Sequence, residues 1–171
     1  TARHYVILHN ISSSQTLHKT FLNDSSGNTY FHWNILKIGG KQKFSLELDY
    51  YVLSFNIHYL VNSSILENYD MNSETYKKYV EPEELIESNN STIILLARNL
   101  TNNVDSWHEK AVRIYNFVYR HMHYAEQDEE RGALWALENG AGDCSEYSYL
   151  FVALCRAAEI PARIQAGFGF H

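Results

Sequence analysis

The sequence predicts an α+β chain in which an antiparallel, β-sandwich-like domain over residues 1–62 precedes a mostly helical domain over residues 63–171. Three observations carry this. Runs of β-branched and aromatic residues separated by turn-formers fill the first third of the chain. Near residue 62 the apolar spacing changes from that of a strand to that of a helix. With 171 residues and 45% apolar content, the chain has ample material for packed cores.

The β-rich runs are residues 4–11, 16–22, 29–38 and 41–61. Asn23-Asp24-Ser25-Ser26-Gly27-Asn28 and Gly39-Gly40 separate pairs of runs with residues that tolerate positive φ, as hairpin turns require. Phe44, Leu46, Leu48 and Tyr50 alternate with Ser45, Glu47 and Asp49, the period of a strand with one buried face. A polar passage over residues 62–78 follows. Pro82 with Glu83 and Glu84 has the composition of a first helical turn, where proline lacks only an orphan donor and acids face the positive end of the dipole. Ser91 is placed to cap a helix through Ile94, Leu95 and Leu96. Ser106 and Glu109 have capping-box spacing ahead of the stripe Trp107, Ala111, Ile114, Val118 and Met122. A short helix through Ala133, Leu134 and Leu137 should stop at Asn139-Gly140. The last helix should start at Asp143.

Composition excludes several function classes. A net charge of −6, with no Lys/Arg run, argues against nucleic acid as the main partner, because phosphate binding needs clustered positive charge. No stretch of the sequence is apolar for long enough to span a membrane, and the opening Thr1-Ala2-Arg3-His4 lacks the basic-then-apolar layout of a signal peptide. Cys144 and Cys155 lie about 16 Å apart along one predicted helix, too far for a disulfide. Asn-x-Ser/Thr sequons at Asn10, Asn23, Asn62, Asn89, Asn90 and Asn99 fit a cell-surface or extracellular protein, and equally fit an Asn- and Ser-rich chain.

The chemistry centres on Gly140-Ala141-Gly142-Asp143-Cys144-Ser145-Glu146. A cysteine in the first turn of a helix has unpaired N–H groups beside it that stabilise a thiolate, and its own N–H points where an oxyanion would form after attack on a carbonyl. Asp143 and Glu146 work against the thiolate, so a histidine partner has to outweigh them. The alternative for Cys144 is a buried structural thiol, the reading that suits Cys155 among Leu150, Phe151 and Leu154. His121-x-His123 is no metal pair, because residues two apart on a helix point about 200° apart. Neither metal nor cofactor is expected. Trp135 suits helix packing more than a substrate groove, given Leu134 and Leu137 around it.

Gly142-Asp143-Cys144-Ser145-Glu146-Tyr147, Ala153-Leu154-Cys155-Arg156-Ala157 and Ile160-Pro161-Ala162-Arg163 resemble the nucleophile segment of the microbial transglutaminase-like superfamily. The resemblance extends to residues 109–115 and to Gly132-Ala133-Leu134, and Asp24-Ser25-Ser26-Gly27-Asn28 is similar to its accompanying β domain. It implies a papain-like Cys-His-Asp triad with Cys144 as nucleophile and protein or peptide as substrate. It further implies a first sheet strand over residues 162–170, with the His and Asp segments beyond His171. His171 is the candidate base within this chain, although it comes early and lacks the small-aromatic pair that follows the family's histidine. Tyr124 takes the place of the family's transition-state-stabilising tryptophan, as a candidate oxyanion donor, with a helix-end core tyrosine as the alternative. Glu159 replaces the usual glycine before Ile-Pro-Ala-Arg and should sit in a left-handed helix end. The function implied is an amide-bond enzyme working through an acyl-enzyme, hydrolytic rather than cross-linking, without normal turnover in the 171-residue chain alone. The competing function is a non-enzymatic surface module that binds peptide or glycan.

Overall fold

The computed structural model describes residues 4–14, 18–24, 28–34, 40–41, 43–55 and 68–166. The chain divides into two compact units, Thr1–Tyr59 and Leu60–His171. The first unit is β-rich, and the second is mostly helical, which makes the chain α+β.

In the first unit β1 (His4–Ser13) pairs antiparallel with β4 (Leu46–Ser54), and β2 (His18–Asn23) pairs antiparallel with β3 (Thr29–Asn34). The β2–β3 hairpin turns where Asp24 accepts hydrogen bonds from the Asn28 backbone at 2.9 Å and the Asn28 amide at 2.8 Å. That side-chain bridge is the reason Asp and Asn favour such turns. The Gly39-Gly40 turn was expected to join a second hairpin. Among the described residues β4 instead takes β1 as its partner, in a register that shifts between Leu8 and Asn10. Phe44, Leu46 and Leu48 are half-buried and Ser45, Glu47 and Asp49 exposed, as the alternation requires, but Tyr50, expected on the buried face, is exposed.

The first helix described in the second unit, α1 (Glu74–Val80), starts within the passage read as polar. Ser73 starts it by accepting a hydrogen bond from the Tyr76 N–H at 3.2 Å. Pro82 does not open a helix. Leu85 takes φ 65°, and Glu83 and Ile86 exchange backbone hydrogen bonds across a tight turn, so the chain reverses there. In α2 (Ser91–Thr101) the cap is Asn90 rather than Ser91, its side chain accepting from the Thr92 N–H at 2.8 Å. α3 (Trp107–His121) is capped by Ser106 as the spacing predicts, and it buries Ile114 and Val118.

α4 (Gly132–Asn139) ends on Gly140 at φ 61°, and α5 (Cys144–Ala157) begins at the Asp143 cap. Glu159 follows α5 at φ 63°, the left-handed end expected of it. Residues 161–166 form no strand, while residues 167–170 of the expected first sheet strand lie outside the described residues. The core of this unit is built on Ile93, Ala97, Ile114, Leu150, Ala153 and Leu154, all fully buried. It packs α2, α3 and α4 against α5.

Candidate functional site

Cys144 is the first residue of α5 and is solvent-exposed. Three local features put it there. Asp143 accepts from the Ser145 N–H at 2.8 Å, and Glu146 reaches back to accept from the Asp143 N–H at 3.0 Å. This reciprocal pair satisfies orphan donors at the helix start and fixes the first turn. Glu146 is fully buried, and its second carboxylate oxygen accepts from the Arg131 N–H at 3.0 Å. Its charge is thus held on two backbone donors, as a buried carboxylate requires.

The approach to Cys144 is fixed from the other side. β5 (His123–Tyr124) pairs in parallel with β6 (Ala141–Gly142): the His123 N–H donates to the Gly140 carbonyl and the Ala125 N–H to the Gly142 carbonyl, both at 2.9 Å. The Tyr147 hydroxyl donates to the Met122 carbonyl at 2.9 Å, joining the end of α3 to the first turn of α5. On the far side of the loop, the Tyr149 hydroxyl donates to Glu130 at 2.6 Å.

Tyr149 is pushed up to about 12, first by desolvation, then by its hydrogen bond to Glu130 and by the charges of Glu130, Glu146 and Asp143. Its neutral form is the one that binds Glu130. That contribution to stability is therefore present below the ordinary tyrosine pKa of 10.0 and is lost as pH rises through about 12. Tyr149→Phe is expected to cost about 1 kcal/mol at neutral pH. Urea unfolding at pH 7 checks this, and an unchanged midpoint would contradict it.

Among the described residues the Cys144 N–H has no protein hydrogen-bond partner, and one turn further on Ser148 Oγ donates to the Cys144 carbonyl at 2.6 Å. A free N–H at a helix start is the group an oxyanion would use. Tyr124 stands in β5, opposite Gly142, and is 66% exposed. Its pKa is raised, first by desolvation of the hydroxyl, then by the negative charges of Glu126, Asp143 and Cys144. The pairing of Tyr124 with Gly142 sets it across from the backbone two residues before Cys144. Tyr124 is thus not the helix-end core residue of the alternative reading.

Cys155 has the opposite surroundings. It is 1% exposed, and burial pushes its thiol up to about 12. Three histidines belong to the described part of this unit, and none of them hydrogen-bonds Cys144 among the described residues. His121 shares a 2.7 Å contact between its Nε2 and the Leu137 carbonyl, which makes Nε2 the donor, and His123 is exposed on β5 rather than on the helix with His121. No metal-binding group of His, Cys, Asp and Glu occurs among the described residues. His171 lies outside them. Trp135 is half-buried, with the Arg131 guanidinium 5.9 Å from its ring.

Two positioning residues escaped the sequence reading. Glu87 accepts from the Ala133 N–H at 2.9 Å and the Leu134 N–H at 3.2 Å, capping α4 where Arg131 makes no side-chain cap bond. Arg156, 4% exposed, donates to the Ala162 carbonyl at 2.9 Å, the Glu81 carbonyl at 2.6 Å and the Glu83 carboxylate at 2.7 Å. It ties the segment after α5 to the turn after α1.

Residues 94–171 match the model of the transglutaminase-like superfamily. No curated protein matches the chain. Among solved structures, the chain is similar to a putative cysteine protease from Cytophaga hutchinsonii, at TM-score 0.68 and 17% identity over 94% of this chain and 55% of that one. The chain thus spans little more than half the length of that structure. Residues 94–171, where the capped turn holds Cys144, are thus similar to the transglutaminase-like superfamily, and the chain shares the fold of that structure.

Proposed function

We propose that this chain carries the nucleophile of a cysteine enzyme that cleaves amide bonds in proteins or peptides through an acyl-enzyme on Cys144, with water rather than an amine as the final acceptor. The observation that carries it is the exposed Cys144 at the first position of a fully capped helix, with its N–H unpaired among the described residues. The superfamily match over residues 94–171 and the fold shared with a putative cysteine protease support it.

In this reading the Cys144 thiol gives its proton to a base as Sγ attacks the amide carbonyl carbon. The developing oxyanion takes the Cys144 N–H and the Tyr124 hydroxyl as donors. The C–N bond then breaks, the amine leaves with the proton, and a thioester remains. Water attacks the thioester, its proton passes to the base, and carboxylate and thiol are released. The base is a histidine held by an aspartate, with His171 the candidate inside this chain. Asp143 beside Cys144 works against the thiolate, so an imidazolium has to sit close by.

Iodoacetamide labelling tests the nucleophile. At pH 8 the exposed Cys144 should label far faster than Cys155, whose burial shields it and pushes its thiol up to about 12. Labelling at Cys144 should saturate in a competing peptide amide, and Cys144→Ala should remove it. Equally slow labelling of both thiols, measured by peptide mass spectrometry, would favour a binding module with no chemistry at Cys144.

A further inference from the structure

The second helical unit carries another concave surface that the amide chemistry does not use. An open groove of about 600 Å³ lies between the end of α2 and the second half of α3. Its walls bring Arg113, Arg120 and His121 together, with the Glu109 carboxylate beside it on Arg113. That is a local reversal in a chain of net charge −6.

The three cationic or ionisable side chains come from one side of α3, because Arg113, Arg120 and His121 spread over about 100° around a helix. Arg113 pairs with Glu109 at 2.8 Å, whereas Arg120 makes no ion pair or hydrogen bond among the described residues. Between the two guanidinium groups Phe117 supplies an apolar floor, stacked on the His121 ring at 5.0 Å and 14°. Leu100 extends the floor from α2, and the Asn99 amide adds a donor at the rim.

We propose that this groove binds a small ring-bearing carboxylate, its ring lying on Phe117 and Leu100 and its carboxylates reaching Arg113 and Arg120. The groove is open to solvent, and its lining pairs an apolar floor with a few polar groups able to fix orientation. The two arginines stand about 10 Å apart along the helix axis, so a ligand with two carboxylates on one ring meets both forks better than a single compact anion.

The test is a titration of the full chain with isophthalate and, separately, with inorganic phosphate, followed by backbone amide shifts. Isophthalate should move amides in the last turn of α2 and the second half of α3, and bind at least fivefold more tightly than phosphate. Arg113→Ala and Arg120→Ala should each weaken it fivefold or more, with Arg120→Lys weakened less than Arg120→Ala. Cys144→Ala should leave the affinity unchanged. An isophthalate affinity untouched by both alanine variants, shifts centred elsewhere, or phosphate binding as tightly as isophthalate would overturn the proposal.

Discussion

Arg156→Met is expected to lower the melting temperature by at least about 10 °C, the result of losing about 3 kcal/mol. The guanidinium side chain is 1% exposed, and its three acceptors are the Ala162 and Glu81 carbonyls and the Glu83 carboxylate. Methionine matches the aliphatic volume but gives no donor. Glu83, 55% exposed, can hydrate its carboxylate in the variant. The carbonyls are less free, so the cost falls on two acceptors left without a partner in a packed corner. Arg156→Lys should be nearly as damaging, since one ammonium group cannot span three acceptors that a planar fork reaches. Thermal unfolding of the three chains decides it, and a Lys variant as stable as the unaltered chain would show that charge alone matters.

Gly142→Ala should be comparably damaging and should also blunt the chemistry. A Cβ on residue 142 would collide with Glu146 Cβ and fall 2.8 Å from its Cγ, with φ at 153° adding strain for any side chain. Glu146 has nowhere to retreat, because it is fully buried and both its oxygens hold backbone donors. The first turn of α5 has to shift, at a cost of about 3 kcal/mol or more. Cys144, two residues on, moves with it. Urea unfolding should show the loss, and iodoacetamide labelling of Cys144 should slow in the fraction still folded. Unchanged labelling would separate the glycine's structural role from the proposed nucleophile.

What could be read from the sequence was local. Ser106, Asp143 with Glu146, Gly140 and Glu159 each act within one helical turn, and each was legible from spacing and residue type alone. Even so, adjacent cap-formers compete: Asn90 and Ser91 are both suitable, and the structure uses Asn90. α1 was invisible because a seven-residue helix without a buried residue leaves no apolar stripe. Pro82-Glu83-Glu84 misled for the reverse reason. Its acids have a helix-start composition, but Glu83 serves Arg156 from 73 positions away, and the nearby Glu87 caps α4 from 46 and 47 positions away. No local rule finds such partners. For the candidate site, the position of Cys144 was legible, whereas Arg156 read only as part of a motif.

The packing around α5 also sets an order of events as the chain is made. α1, α2, α3 and α4 all pack on this helix, which is the last of the five to leave the ribosome. Apart from α2 against α3, the earlier helices depend on it for their main helix-to-helix contact. They must therefore wait, with apolar faces uncovered, until residues 144–157 have emerged, which is the interval in which chaperones would be needed. The helix that bears the exposed thiol is also the one on which the other four pack, so Cys144 should gain its fixed environment in the same step in which those helices find their common partner.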